Sequence, residues 1–202
     1  MHSLPVLSQC SLVIMLAHLC LGLLALCSLT TASDPTCEEL TTPLEDRSLL
    51  SGKFIFTLGT SDCDHSIENL KKIHSSWVEF SPGSNSDTYH NVWKHKGIAG
   101  ECTSENLTST FTSATAVVSS FDAPDEEHSE QFLKTCPDCL FVVDEMAVKT
   151  SEGETRKSKY LYFLTKTGTL DPAHLEVVKK QIACLNLTKG LYYPASTTDL
   201  CP

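Results

Sequence analysis

From residue 49 to 59 the chain reads Leu-Leu-Ser-Gly-Lys-Phe-Ile-Phe-Thr-Leu-Gly. Phe54, Phe56 and Leu58 fall on one face and Lys53, Ile55 and Thr57 on the other, the period-two signature of a half-buried strand. Gly52, just before, permits a backbone bend. Short segments of this kind recur. Residues 76–80 read as a second strand, followed by the turn-forming run 81–87. Residues 88–96 read as a third, with Tyr89, Asn91, Trp93 and His95 on one face. Residues 102–111 are a fourth, and 114–121 a fifth, with Val117 and Phe121 on one face. A loop at 123–127 leads to strands at 129–134 and 140–148, interrupted by Cys136-Pro-Asp-Cys139. A hairpin turn at 151–155 precedes an eighth strand at 159–166. Residues 65–73 carry Ile67, Leu70 and Ile73 at three-residue spacing and read as a short helical turn or a lid-like loop. The period then changes. Asp171-Pro172 supplies an N-cap and a proline at the first helical position, and Leu175, Val178, Ile182 and Leu185 form one apolar stripe. The tail after Cys184 holds a possible short strand at 191–193.

Eight short strands at hairpin spacing predict an all-β fold, an eight-stranded antiparallel up-and-down barrel with one C-terminal helix packed outside, large enough to hold one small ligand. A sandwich strand carries the same alternation, so the first strand taken alone leaves both architectures open.

Composition adds a compartment. Residues 1–33 contain no Asp, Glu, Lys or Arg, 12–29 are almost wholly apolar, and Thr31-Ala32-Ser33 offers small residues for cleavage. This reads as a secretory signal peptide, with a retained membrane anchor as the rival. It leaves a single domain over 34–202, secreted and extracellular, with no stable membrane insertion after cleavage. The net charge is −10 and no basic run occurs, which argues against nucleic-acid binding. Of ten cysteines, Cys37, Cys63, Cys102, Cys136, Cys139, Cys184 and Cys201 follow the leader, an odd set in an oxidising compartment. Asn106 and Asn186 head Asn-x-Thr sequons and are candidate glycosylation sites. A glycan on Asn106 requires an outward side chain. Alternation then places Cys102, Ser104, Thr108 and Thr110 outside and Leu107 and Phe111 inside.

Four groups of residues carry the resemblance to a known family: Leu49-Leu-Ser-Gly-Lys-Phe; Cys102 followed by the Asn106 sequon; Tyr160-Leu-Tyr-Phe-Leu; and the segment from Leu175 to Leu185 with its spacing to Cys201. With the eight-strand meander and the late helix, they resemble the lipocalins over essentially the whole mature chain. Within that family the resemblance is to the α1-acid glycoprotein and apolipoprotein M group, and most of all to the puffer saxitoxin- and tetrodotoxin-binding proteins. One departure stands out: Gly52-Lys53-Phe54 replaces the family's Gly-x-Trp, so Phe54 would plug the barrel base without an indole donor. The resemblance implies disulfides Cys37–Cys184 and Cys102–Cys201. Cys136 and Cys139 are then expected to bridge locally, with Cys63 left as the odd thiol. Cys136-Pro-Asp-Cys139 also has redox or half-zinc spacing, but its flanks read as strand and no second pair with metal spacing exists.

The implied function is that of a carrier binding a small molecule in its barrel, either a lipophilic ligand or a guanidinium toxin. Candidate ligand-binding residues are Phe56, Leu58, Tyr89, Trp93, Phe111, Phe121 and Tyr160. A cationic ligand calls for aromatic faces and an inward carboxylate, for which Glu79, Asp144 and Glu145 are candidates. The chain reads as a monomer with no cofactor and no metal site; neither H-E-x-x-H, G-x-S-x-G nor a phosphate loop occurs. Two alternatives remain: a secreted glycoprotein acting through protein partners with a filled barrel, and a Cys63-dependent isomerase. The latter is like lipocalin-type prostaglandin D synthase, whose cysteine lies near the end of the first strand.

Overall fold

A computed structural model describes residues 34–113, 115–120, 126–150, 153–187 and 189–202. The leader read at 1–33 and Phe121 lie outside the described residues. The strands are β1 (Gly52–Ser61), β2 (Ile73–Pro82), β3 (Thr88–Gly97), β4 (Cys102–Phe111), β5 (Ala116–Ser120), β6 (Glu126–Leu133), β7 (Cys139–Lys149) and β8 (Thr155–Thr165). Each pairs antiparallel with its neighbour in sequence, and β8 returns to β1, closing an eight-stranded barrel. The helices are α1 (Cys37–Leu40), α2 (Asp64–Leu70) and α3 (Pro172–Cys184). Among the described residues no helix is long and apolar enough to cross a membrane.

Alternation along the strands feeds two apolar clusters. On β8, Tyr160 and Leu164 belong to the cluster inside the barrel, while Leu161 and Phe163 belong to one outside it. Phe141 and Val143 of β7 join the outer cluster, and the helix residues Val178 and Ile182 complete it. The apolar stripe of α3 therefore finds its partner in the barrel's outer wall, as its 3.6-residue period requires. Asp171 caps α3 by accepting a bond from the Ala173 amide at 2.7 Å.

Leu58 is corrected by this arrangement. The pairing of β1 with β8 runs Phe56 to Leu164 and then Leu58 to Phe163, so Thr57 is an extra residue. Such a bulge shifts the alternation by one position. Phe54 and Phe56 point into the barrel, but Leu58, fully buried, packs in the outer cluster with Val178 and Ile182. It is no part of a cavity wall. Thr57 remains satisfied, its hydroxyl donating to the Phe163 carbonyl at 3.0 Å.

The two ends of the barrel differ. At one, Phe54 meets Phe80 edge-on at 6.0 Å, and Phe80 meets Phe132 at 6.0 Å. Lys166 brings its ammonium 5.3 Å from the Phe54 ring centre. The N-terminal arm crosses this end: Leu44 donates its amide to the Phe132 carbonyl at 2.8 Å. Arg47 lies 3.9 Å over the Phe111 ring and is held by Asp87 at 2.8 Å and the Ser113 carbonyl at 3.0 Å. The end is thus apolar and covered. At the other end α2 follows directly on β1.

Among the described residues three disulfides form, Cys37–Cys184, Cys102–Cys201 and Cys136–Cys139, and Cys63 is a free thiol. Beside the first, the buried Gln181 donates to the Leu40 and Lys134 carbonyls, both at 2.8 Å, tying α3 to α1 and to the segment after β6. Cys102 is exposed, and its partner lies in a tail strapped along β2 and β3. There the Trp77 indole donates to the Cys201 carbonyl at 2.9 Å and Lys96 pairs with Asp199 at 2.5 Å. The short strand expected at 191–193 is a single bridge, Tyr192 to Gly59.

Candidate functional site

The open end leads into a cavity of about 630 Å³. Its rim comes from α2 and the start of β2 (Asn69, Leu70, Ile73), from Met146 of β7, and from the first residues of β4. Its walls are of two kinds. One is aromatic: Trp93 and His95 are stacked at 5.8 Å on β3, and Tyr160 and Tyr162 at 6.0 Å on β8. Trp93 and Tyr162 meet at 5.6 Å, joining the stacks. The other wall carries carboxyls: Glu105 from β4, Glu126 and Glu130 from β6, and Asp144 from β7.

Register explains this convergence. Asp144 lies opposite Glu130 on one side and Tyr160 on the other, so strand pairing forces two carboxyls and a phenol ring onto one patch of the inner wall. Glu130 and Asp144 are both buried. His128, two residues before Glu130 and therefore on the same face, donates from Nδ1 to Asp144 Oδ2 at 2.9 Å. Ser119 donates to Glu130 Oε2 at 3.0 Å. Behind it the hydroxyls of Ser109 and Ser119 lie 2.7 Å apart, and the Asn91 amide donates to Ser109 at 2.6 Å. A transverse line of polar groups thus runs from β3 to β6, each member buried.

The electrostatics follow from burial and from like charges held close. Burial, reinforced by the Asp144 carboxyl, raises Glu130 to about 7, against the opposing pull of the Ser119 hydrogen bond and His128. Burial disfavours the His128 imidazolium, but the Asp144 hydrogen bond and the surrounding carboxylates outweigh it and raise its pKa. His95 goes the other way, lowered by burial with Glu105 opposing only in part. Tyr162 is raised well above an ordinary phenol by burial and by Asp144, so it stays a neutral donor.

Of the expected site residues, the structure brings Trp93 and Tyr160 to the cavity wall. Phe56 lies inside the barrel beneath them, packed against Tyr162 and Tyr192 at 6.0 and 6.3 Å. Tyr89 and Phe111 are inside too, 5.5 Å apart, but at the covered end near Arg47. Of the three candidate carboxylates only Asp144 points inward. Glu79 and Glu145 are exposed, and Glu145 pairs with Lys159 at 2.7 Å. Glu105, Glu126, His128 and Glu130 carry the chemistry and are not singled out by the alternation. Asn106 and Asn186 are both exposed.

Two other clusters bear on the candidate chemistries. Cys136, Cys139 and His174 come together in a way that could hold a metal, but both sulfurs are in the disulfide and cannot serve as thiolates. Cys63 lies 3.0 Å from the Ser66 hydroxyl, whose hydrogen bond lowers the thiol pKa against the effect of burial. It sits at the start of α2, outside the cavity lining, and neighbouring His65 is exposed.

No family model and no curated relative matches this chain by sequence. Solved structures match by shape. A siderocalin, Ex-FABP, described as having dual ligand specificities, superposes with a TM-score of 0.60 at 14% identity over 75% of this chain and 97% of that one. The bovine lipocalin allergen Bos d 2 gives 0.58 at 15% identity over 78% and 99%. Lipocalin 12 from rat epididymis gives 0.58 at 13% identity over 81% and 93%. The shared feature is the closed eight-stranded barrel with its C-terminal helix.

Proposed function

We propose that this chain is a secreted lipocalin whose barrel carries a small cationic molecule, of which a guanidinium toxin such as saxitoxin or tetrodotoxin is the best-fitting class. The observation that carries this reading is the pairing, in one cavity, of a buried carboxyl couple, Glu130 and Asp144, with the stacked rings of Trp93, Tyr160 and Tyr162. A planar cation gains from aromatic faces and from two-point hydrogen bonding to carboxylates, and both gains grow where water is excluded. A purely lipophilic ligand, the other class considered, would cover these carboxyls without pairing them, which is costly for any that stay ionised. The cavity volume supports a carrier over a filled barrel acting only through protein partners. Secretion, cleavage after the leader, glycans on Asn106 and Asn186, a monomeric state and the absence of catalysis belong to the same proposal. The three disulfides suit an oxidising compartment.

Trp93 and Trp77 provide the test. Trp93 is in the wall, whereas Trp77 lies outside, 3.9 Å from the Lys53 ammonium and bonded to the tail. Saxitoxin and a long-chain fatty acid are titrated separately into the mature glycoprotein, following tryptophan emission. Saxitoxin is expected to quench wild type and Trp77→Phe alike and to leave Trp93→Phe silent. A saturable response to the fatty acid alone, surviving in Trp77→Phe, would overturn the cationic assignment.

A further inference from the structure

We infer that Asn91, Ser109 and Ser119 form a reversible hydrogen-bond relay that allows Glu130 to change charge inside the barrel, so that uptake of a cation expels a proton from that carboxyl. The inference rests on the reading of the cavity as a cation site and adds to it a coupling between ligand and proton.

The geometry has two consistent directions. With Glu130 ionised, the Asn91 amide donates to Ser109, Ser109 to Ser119, and Ser119 to Glu130 Oε2, over 2.6, 2.7 and 3.0 Å. Every donor points towards the carboxylate. With Glu130 protonated, its O–H donates to Ser119, Ser119 to Ser109, and Ser109 to Asn91 Oδ1 once the amide has turned half a revolution. In the first direction Asn91 Oδ1 is buried with no partner among the described residues, so it is free to accept in the second. Serine hydroxyls donate and accept equally well, and a side-chain amide offers both functions at one terminus. Two hydroxyl rotations and one amide turn reverse the line without breaking a covalent bond. The only proton lost is the one on Glu130, which passes to solvent through the mouth.

The groups around Glu130 make this charge change selective. From β7 it faces Asp144, and from its own strand His128 and Glu126. Beyond Asp144, Tyr160 and Tyr162 flank it on β8, and Glu105 of β4 and His95 of β3 line the same cavity. Beside Asp144, an ionised Glu130 is unfavourable in the empty cavity, and its rise to about 7 is the expected consequence. An arriving guanidinium neutralises the pair and draws the proton off. Where only the ionised form binds, affinity falls about tenfold for each pH unit below the midpoint.

The relay is tested on the empty protein by carboxyl 13C NMR between pH 5 and 9, with each variant first shown to unfold cooperatively. The wild-type Glu130 signal is expected to titrate near 7. Ser119→Ala removes the last donor and is expected to raise the midpoint by about one unit, and Ser119→Thr to restore it. Asn91→Ala, a second route should the serine variant not fold, is expected to raise it by less. A midpoint in Ser119→Ala equal to wild type, or for an unfolded serine variant an unmoved Asn91→Ala midpoint, overturns the relay whatever the protein binds. The coupling is tested by calorimetry at pH 7 with agmatine, a guanidinium probe, in two buffers of different ionisation enthalpy. Wild type is expected to release about half a proton per ligand, as a group half-titrated at that pH must. Agmatine binding without proton release overturns the coupling alone, while absence of binding by agmatine and saxitoxin alike overturns the cation reading and the coupling together.

Discussion

Glu130→Gln is expected to make the protein harder to unfold at pH 8 and to remove most of its affinity for a guanidinium cation. Both effects have one cause. An ordinary glutamate titrates near 4.5, and burial beside Asp144 holds Glu130 near 7 in the folded state. Between those values the folded chain binds more protons than the unfolded chain, so stability falls as pH rises. The stabilising proton is fully retained below the ordinary value and is lost by about pH 8. The loss amounts to roughly 3 kcal/mol, taking 1.36 kcal/mol per pKa unit. Glutamine keeps the shape and can still accept from Ser119, but it has no charge to desolvate. Urea unfolding should therefore show the variant more stable by about 1–3 kcal/mol at pH 8 and indistinguishable near pH 4. Removing one charge from a buried pair that meets a cation costs about 2–3 kcal/mol of binding, a loss of about 30- to 150-fold. Equal stability at both pH values would mean that Glu130 titrates normally. Retained saxitoxin affinity would place the cation elsewhere.

The second large effect concerns the seam between the N-terminal arm and α3. Replacing Cys37 and Cys184 together by serine is expected to cost about 5 kcal/mol, because the bridge spans 147 residues and removes that loop's freedom from the unfolded chain. The Cys102–Cys201 bridge spans 99 and is expected to contribute nearly as much, since the dependence on length is logarithmic. Cys136–Cys139 closes a loop of only three and is expected to contribute about 1.5 kcal/mol. Thermal unfolding of the three double-serine proteins should thus separate two large losses from one small one. A Cys37/Cys184 variant that loses no more than the Cys136/Cys139 variant would show that Gln181 and the apolar seam hold α3 without the bridge.

Much of the architecture is legible in the alternation. Period two along eight segments and period 3.6 after Asp171 report which faces meet apolar neighbours, and those faces build the barrel and seat α3. The legibility fails where the rule behind it fails. Leu58 keeps perfect alternation with Phe54 and Phe56, yet the added residue at Thr57 turns it outward; a bulge leaves no mark in hydropathy. Glu126 and Glu127 read as the end of a loop, with the strand beginning only at Ser129, because the inner face of a strand is expected to be apolar. Here its inner positions are Glu126, His128 and Glu130, polar because they line a cavity and not a core. Phe132, two residues further along the same face, is buried in the apolar cluster, so the strand changes character where the cavity gives way to packing. Asp144 is legible as one of three candidates only because its neighbours fix a strand; which of the three turns inward needs the register with Tyr160.

The extra residue in β1 also sets the phase of everything that follows it. Upstream of Thr57 the strand faces the ligand side with its large residues; downstream it offers them to the helix and leaves Gly59 inside. A Cβ on Gly59 would come within 2.8 Å of the Phe56 ring. Flattening the bulge with every residue kept would turn Leu58 inward, move Gly59 to the helix side and strip α3 of a fully buried partner in one step. A single-residue gap at position 57 is absorbed locally, since it removes the residue without a partner and leaves Phe56 opposite Leu164 and Leu58 opposite Phe163. For anyone aligning or redesigning barrels of this kind, Thr57 is a reading-frame mark written in the backbone.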